Sequence, residues 1–359
     1  MQVLMDFIGK DGNQGEIANY IANNGRLEPG LMRPYLADDG RAFVSVYKGT
    51  GDKTKEENYM TLQVNAGTLR RDEWVQLDQA ILPIAQSRLV GIADLEAARL
   101  VFNLGNAMGT TVLEYHDVSD GFEVVMTMDG VTRSKGDRPE YSSKYLPIPI
   151  IHADYEINAR VLEASRKLGN PLDTTSAELA TRKVAEFLEG LLFTNRTYSF
   201  GNGVIYSYVN HPNRNELDLG TAWDDSSITG KAIVQKVLEA KAMSIADNHF
   251  GPWNLYIPAA YEMYMDEDYT DDKGETTIRE RILKIEGINS VKVSTQLAAD
   301  NPVLVQMTPD VVRLVKGFGI QNVEWQTEGK FITKYKVMTI QVPQIRADQD
   351  GKSGIVHIH

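Results

Sequence analysis

The chain has 359 residues, 42% of them hydrophobic, no cysteine, and a formal net charge of -12. That length can bury two packed cores, and the missing cysteines exclude disulfide staples and thiolate metal sites and suit a reducing cytoplasm. The charge argues against a surface that mostly grips phosphate backbones, and no run approaches the ~18 apolar residues of a membrane span.

The start at Met1 lacks the basic-then-apolar layout of a signal peptide. Residues 1–72 show weak periodicity and the polar run from Gly51 to Asn58. Within them only Gln14–Ala22 reads as a helix and Ala42–Tyr47 as a strand. Such a segment offers too little apolar surface to order itself. It reads as an arm lying across neighbouring subunits, with packing on its own subunit as the alternative. From Asp72 to about Tyr115, apolar residues at Ile81, Ile84, Leu89, Ile92, Leu95 and Phe102 follow helical spacing, broken near Pro83 and Gly91. Val112–Pro149 reads as a two-stranded excursion. Phe122, Val124 and Met126 share one face of it, and Asp129 to Glu140 form a charged, glycine-bearing tip.

The Pro-rich stretch Leu146–Asp154 leads to a short amphipathic segment, Asn158–Leu168. Thr175-Ser-Ala-Glu178 then has the form of a capping box. It opens a helix of roughly 28 Å with an apolar stripe of Ala177, Ala180, Val184, Phe187, Leu188 and Leu191. Glu178, Arg182, Lys183, Glu186 and Glu189 fall on the opposite, polar face. Beyond Tyr206 the pattern alternates. Helices are expected at Ile228–Ala246, from Ala259 and at Thr277–Ile285, and strands at Trp253–Ile257, Val291–Val293, Val303–Met307 and Phe331–Val342. The last strand is expected to stop at Pro343, which lacks a ladder donor. The mixture predicts an α+β fold.

Catalytic patterns are weak. None of the six histidines has metal-ligand spacing on a helix, and no His-Glu-x-x-His occurs. His357 and His359 share a strand face but end the chain, and read as a frayed terminus. Gly201-Asn-Gly203 reads as a turn, because Tyr206 stands where a nucleotide fingerprint needs glycine. Phosphate-binding Gly-x-x-x-x-Gly-Lys and Gly-x-Ser-x-Gly motifs are missing. Asp266–Asp272 reads as a solvated loop, since Asp271 replaces the turn glycine of a calcium loop. The sequence therefore predicts no enzyme, with no catalytic, cofactor-binding or metal residues.

From Trp74 onward the chain resembles major capsid proteins of tailed phages with the Hong Kong 97-type fold, in the branch that includes bacterial encapsulin shell proteins. Tyr145–Glu156, Ala159–Gly169 and Pro171–Glu178 with its helix carry the likeness. Asn254–Pro258, Val303–Met307, Val311–Val315 and Phe331–Gln341 add to it, so about four-fifths of the chain is covered.

The resemblance implies an N-terminal arm (1–72), the start of a peripheral domain (73–114) and an extended β-ribbon loop (115–147). It further implies a peripheral domain with a long spine helix (148–205), an axial domain (206–330), and a closing strand with the C-terminus (331–359). It implies pentamers and hexamers of an icosahedral head enclosing double-stranded DNA, in a virion assembled in the host cytoplasm. Its partners would be other copies, a separate scaffolding protein, a portal and a decoration protein, with DNA packaged without sequence-specific binding and no membrane. The alternative is an encapsulin-type compartment around a protein cargo. Such a shell usually begins with a helix rather than about seventy residues of arm. Ribbon-tip residues Arg133, Lys135, Asp137, Arg138, Glu140 and Lys144 are the expected intersubunit contacts, as weak ion pairs that set register when multiplied over a shell.

Overall fold

The structure, a computed structural model, describes residues 34–37, 41–47, 59–64, 69–118, 126, 128, 141–168, 174–269, 276–328, 331–348 and 350–359. The helix expected at Gln14–Ala22 and the residues Phe122 to Val125 lie outside them. Strand β2 (Ala42–Tyr47) has the expected bounds and is flanked by β1 (Pro34–Leu36) and β3 (Tyr59–Val64) in a three-stranded sheet. That sheet meets its own subunit where Leu36 N donates to Leu69 O at 2.9 Å and Tyr35 packs beside Trp74 and Leu77.

A four-stranded sheet has the order β4 (Val101–Asn103), β14 (Val312–Glu328), β15 (Ile332–Ile345), β7 (Ile151–Asn158). Strand β15 runs through Pro343, past the expected stop. The reason is positional: β7 pairs with β15 only as far as Thr339, so Pro343 has a neighbour on one side alone. Strand β14 is far longer than Val311–Val315, and register shifts around Gly317 and Gly319 absorb its two glycines.

A five-stranded sheet has the order β10 (Asn215–Leu217), β16 (Ile355–Ile358), β13 (Val303–Gln306), β11 (Trp253–Pro258), β12 (Ile288–Ser294). Two-residue alternation deals its side chains to two cores. Leu255, Ile257, Leu304, Val356 and Ile358 pack against Ile233, Val234 and Val237 of helix α5 (Gly230–Ala246). Tyr256, Val303, Val305 and Ile355 join the core beneath the long helix. Burial on both faces explains why these strands read as continuous apolar runs. Strand β14 thus lies in the four-stranded sheet, although its residues fall within the 206–330 segment, and β16 lies in the five-stranded one, although it follows residue 331.

Helix α1 (Arg71–Arg88) passes through Pro83, whose ring faces solvent, and gives way at Leu89 to α2 (Val90–Ala97). Trp74, Leu77 and Ile81 anchor it before the proline. Phe102, expected to continue helical spacing, lies instead on β4. Helix α3 (Ala159–Leu168) is tied to α1 by Arg166, whose Nε and Nη2 each donate to Glu73 at 2.8 Å. Burial pushes the Glu73 carboxyl up, yet the Arg166 and Arg70 hydrogen bonds outweigh it and leave its pKa lowered.

Helix α4 (Thr175–Phe193) is the expected long helix, with two corrections at its surface. Its N-cap is Thr174, not Thr175, and the Thr174 hydroxyl donates to the Glu178 carboxylate rather than capping a backbone donor. Phe187, assigned to the stripe, is 44% exposed, whereas Ala177, Ala180, Val184, Leu188 and Leu191 are buried.

Candidate assembly surface and its anchoring junction

Strands β5 (Val112–Val118) and β6 (Tyr141–Pro147) pair from Val112↔Pro147 out to Val118↔Tyr141, forming the stem of the ribbon. Its root is held in the subunit. Leu146 and Ile148 are buried with Ile205, Val315, Ile340 and Val342, and Leu113 and Tyr115 pack on the same cluster. The hairpin β8 (Tyr198–Phe200) and β9 (Gly203–Ile205) lies against β6, turning at Gly201 as the Gly-Asn-Gly motif suggests. Gly203 permits that contact: a Cβ there would stand 2.5 Å from the Tyr145 carbonyl oxygen. Met126 and Met128, which follow β5 in the chain, have relative exposures of 97% and 106%, so none of the described residues covers them.

Of the six expected contact residues, Lys144 is described: it is exposed on β6, opposite Tyr115. Arg133, Lys135, Asp137, Arg138 and Glu140 lie outside the described residues. Apolar groups near the C-terminal end of α4 also face outward. Tyr198 is 44% and Phe200 52% exposed, and the Arg196 guanidinium lies 5.2 Å from the Phe187 ring centroid.

The α4 end itself enters the junction between the two larger sheets. Every residue from Leu188 to Phe193 is buried, including Glu189, which periodicity had put on the polar face. The correction has a physical cause. Glu189 accepts from the first backbone donors of α2, Gly91 N at 2.6 Å and Ile92 N at 3.4 Å, where helical N–H groups have no partner of their own. Gly91 permits the approach, since a Cβ there would meet the Phe193 ring at 2.7 Å. Burial dominates over these bonds and raises the Glu189 pKa to about 7.

One turn along α2, Asp94 accepts from Tyr256 Oη at 2.9 Å and pairs with Lys292 of β12. Phe193 packs edge-on to Tyr208, with centroids 5.5 Å apart, and Tyr208 stacks on Tyr256. These groups anchor the long helix to both sheets. Helical spacing marked Leu188 and Leu191, but no local signal marked Glu189, Asp94 or Lys292, whose partners are distant in sequence.

The C-terminus is not frayed. His357 and Ile358 sit on β16 between β10 and β13, and the His357 and His359 rings stack 4.7 Å apart. His357 Nε2 lies 2.9 Å from Asn301 Oδ1 and Arg214 Nε donates to Nδ1 at 3.3 Å. Burial, helped by His359 and Arg214, lowers the His357 pKa to about 4, and burial does the same to His211. Among the described residues no three His, Asp or Glu side chains converge as metal ligands, and no helix is long and apolar enough to cross a membrane.

Residues 64–358 match the profile of the family of unknown function DUF6260. The chain belongs to that family. Among curated proteins it is 24% identical over 238 residues to the type 1 encapsulin shell protein EncA of Myxococcus xanthus, spanning 65% of this chain and 71% of EncA. Among solved structures it superposes on the virus-like particle from Pyrococcus furiosus with a TM-score of 0.57 at 16% identity, covering 80% of this chain and 99% of that one. The capsid of Myoviridae phage XM1 gives a TM-score of 0.57 at 11% identity, over 75% and 91% of the two chains. The fold of this DUF6260 member is the Hong Kong 97-type capsid fold, α+β, with likeness to both phage capsids and the encapsulin branch.

Proposed function

We propose that this chain is the major capsid protein of a tailed phage, forming the pentamers and hexamers of an icosahedral head around double-stranded DNA, in a virion assembled in the host cytoplasm. Its role is structural rather than catalytic. The observation that carries the shell reading is the ribbon stem: its root is held in a buried cluster, while Met126 and Met128 beyond β5 are bare of every described residue. A two-stranded ribbon is marginal alone and needs a partner surface. The partner is another copy, met through the ribbon tip at Arg133, Lys135, Asp137, Arg138, Glu140 and Lys144. On this reading 1–72 is the arm, 115–147 the extended loop, and the long helix the spine of the peripheral domain. The five-stranded sheet with α5 forms the axial domain. A separate scaffolding protein, a portal and a decoration protein complete the assembly.

Support for the phage reading over a protein-filled compartment comes from the chain ahead of the family region, which carries the three-stranded sheet of β1 to β3. The likeness to EncA favours the second reading, a nanocompartment enclosing a protein cargo. The net charge of -12 suits a container that repels DNA mildly and binds it without sequence preference. Native particles treated with nuclease should release protected double-stranded DNA. Particles that yield a single co-purifying protein and no nucleic acid would replace the phage reading with the compartment.

Deleting Gly130–Tyr141 should leave the subunit folded, with an unchanged circular-dichroism melt, while abolishing sedimentable particles. Normal assembly of the deletion variant would remove the ribbon tip from the interface.

A further inference from the structure

Where β4 and the root of the ribbon meet β14, two arginines stand together with no acid beside them among the described residues. The Arg313 guanidinium lies 4.9 Å from the Phe102 ring centroid, and that of Arg346, just past β15, lies 5.9 Å from the Tyr115 centroid. Arg313 Nε donates to Gln344 Oε1, and Arg346 Nη2 donates to the His116 carbonyl at 3.1 Å. Two donors remain over. Arg346 Nε and Gln344 Nε2 are both buried with no hydrogen-bond partner among the described residues, and the Gln344 side chain is 0% exposed. Among the described residues neither arginine has a carboxylate within ion-pair distance. Burial, followed by the charge of Arg346, lowers the pKa of Arg313. The cluster's two acceptors, Gln344 Oε1 and the His116 carbonyl, are neutral, so two like charges and two unpaired donors are left for an oxyanion to satisfy.

We propose that Arg313, Arg346 and Gln344 form a pocket that receives a carboxylate side chain from a second copy of this chain. The proposal rests on the shell reading and deepens it by naming the contact. Guanidinium forks match a carboxylate in two-pronged geometry. With 49 acidic against 37 basic residues, every copy carries surplus carboxylates to offer. A duplex is the less suitable occupant, because DNA binding draws on a row of phosphate contacts and a single pair of arginines offers one. The pocket also adjoins the ribbon stem through His116, so a neighbour docked there meets the element that leaves the subunit.

The full chain carrying Arg313→Gln and Arg346→Gln tests this. Neutralising two crowded, partly buried like charges should leave the melting temperature of dissociated subunits unchanged or higher. The concentration needed for sedimentable particles should rise at least about tenfold. Assembly at the wild-type concentration would overturn the pocket while leaving the shell reading intact. Wild type that never assembles would overturn both.

A second measurement holds even if the double variant folds poorly. Glutarate, compared with chloride at matched ionic strength, should raise the wild-type assembly concentration by occupying the pocket, and equal behaviour in the two salts contradicts the proposal. Short duplex DNA that stabilises wild-type subunits but not the variant would assign the pocket to phosphate and overturn the second-copy contact.

Discussion

Leu188→Ala should lower subunit stability by about 2–5 kcal/mol, the range for emptying a buried leucine site. Leu188 is 0% exposed and belongs to the cluster joining the long helix to Leu314 and Val337 of the four-stranded sheet and Val303 and Val305 of the five-stranded one. Its neighbours come from three rigid elements, so the cavity has little room to collapse. Glu186, two residues earlier on the outer face, pairs with Lys183 at 3.0 Å and should tolerate alanine within about half a kcal/mol. Urea melts of the two variants, made on dissociated subunits, check the contrast. Equal losses would mean that the buried stripe of α4 is wrongly oriented.

Glu189→Gln should change the pH dependence of stability. Burial raises the folded pKa of Glu189 to about 7 from the 4.5 of a free glutamate. Between those values the folded state binds more protons than the unfolded, so wild-type stability falls as pH rises through that window. The full effect is reached above pH 7 and amounts to roughly 3 kcal/mol at most. Glutamine keeps an acceptor for Gly91 and Ile92 and cannot ionise, so the variant should exceed wild type most clearly at pH 8 and lose that advantage by pH 5.

His211 and His357 act oppositely. Their folded pKa values are lowered from 6.5 to about 4, so their contribution is intact above pH 6.5 and is lost as pH falls toward 4. Thermal melts across pH 4–8 should therefore show the histidine limb alone in the glutamine variant. An unchanged wild-type-to-variant difference across that range would contradict the buried-acid assignment.

The legible parts of this fold were those written in local periodicity. β2, the ribbon stem, α3, the long helix and α5 announce themselves by alternation or by apolar spacing. What stayed hidden depends on neighbours distant in sequence. Glu189 sits among charged residues by angle, and only the arrival of α2, 98 residues earlier, makes it a buried cap. Pro343 seemed to end a strand, but it pairs with Leu314 of β14 on one side, and β7, which stops at Thr339, leaves its other side without a ladder. Strand β14 continues beyond two glycines because Gly317 leaves room for Ala107, whose Cβ would lie 2.2 Å from an added one. His357 looked like part of a free terminus until β10 and β13 took their places beside it. The arginine pair was invisible for the same reason: Arg313 and Arg346 come together only when β14 and β15 pair.

Self-assembly is the central claim, and electron microscopy combined with sedimentation velocity on the purified full chain tests it most directly. Closed icosahedral particles, or the pentameric and hexameric rings that build them, should appear as concentration rises and should be reversed by denaturant. A compact monomer at every concentration and salt would contradict the account.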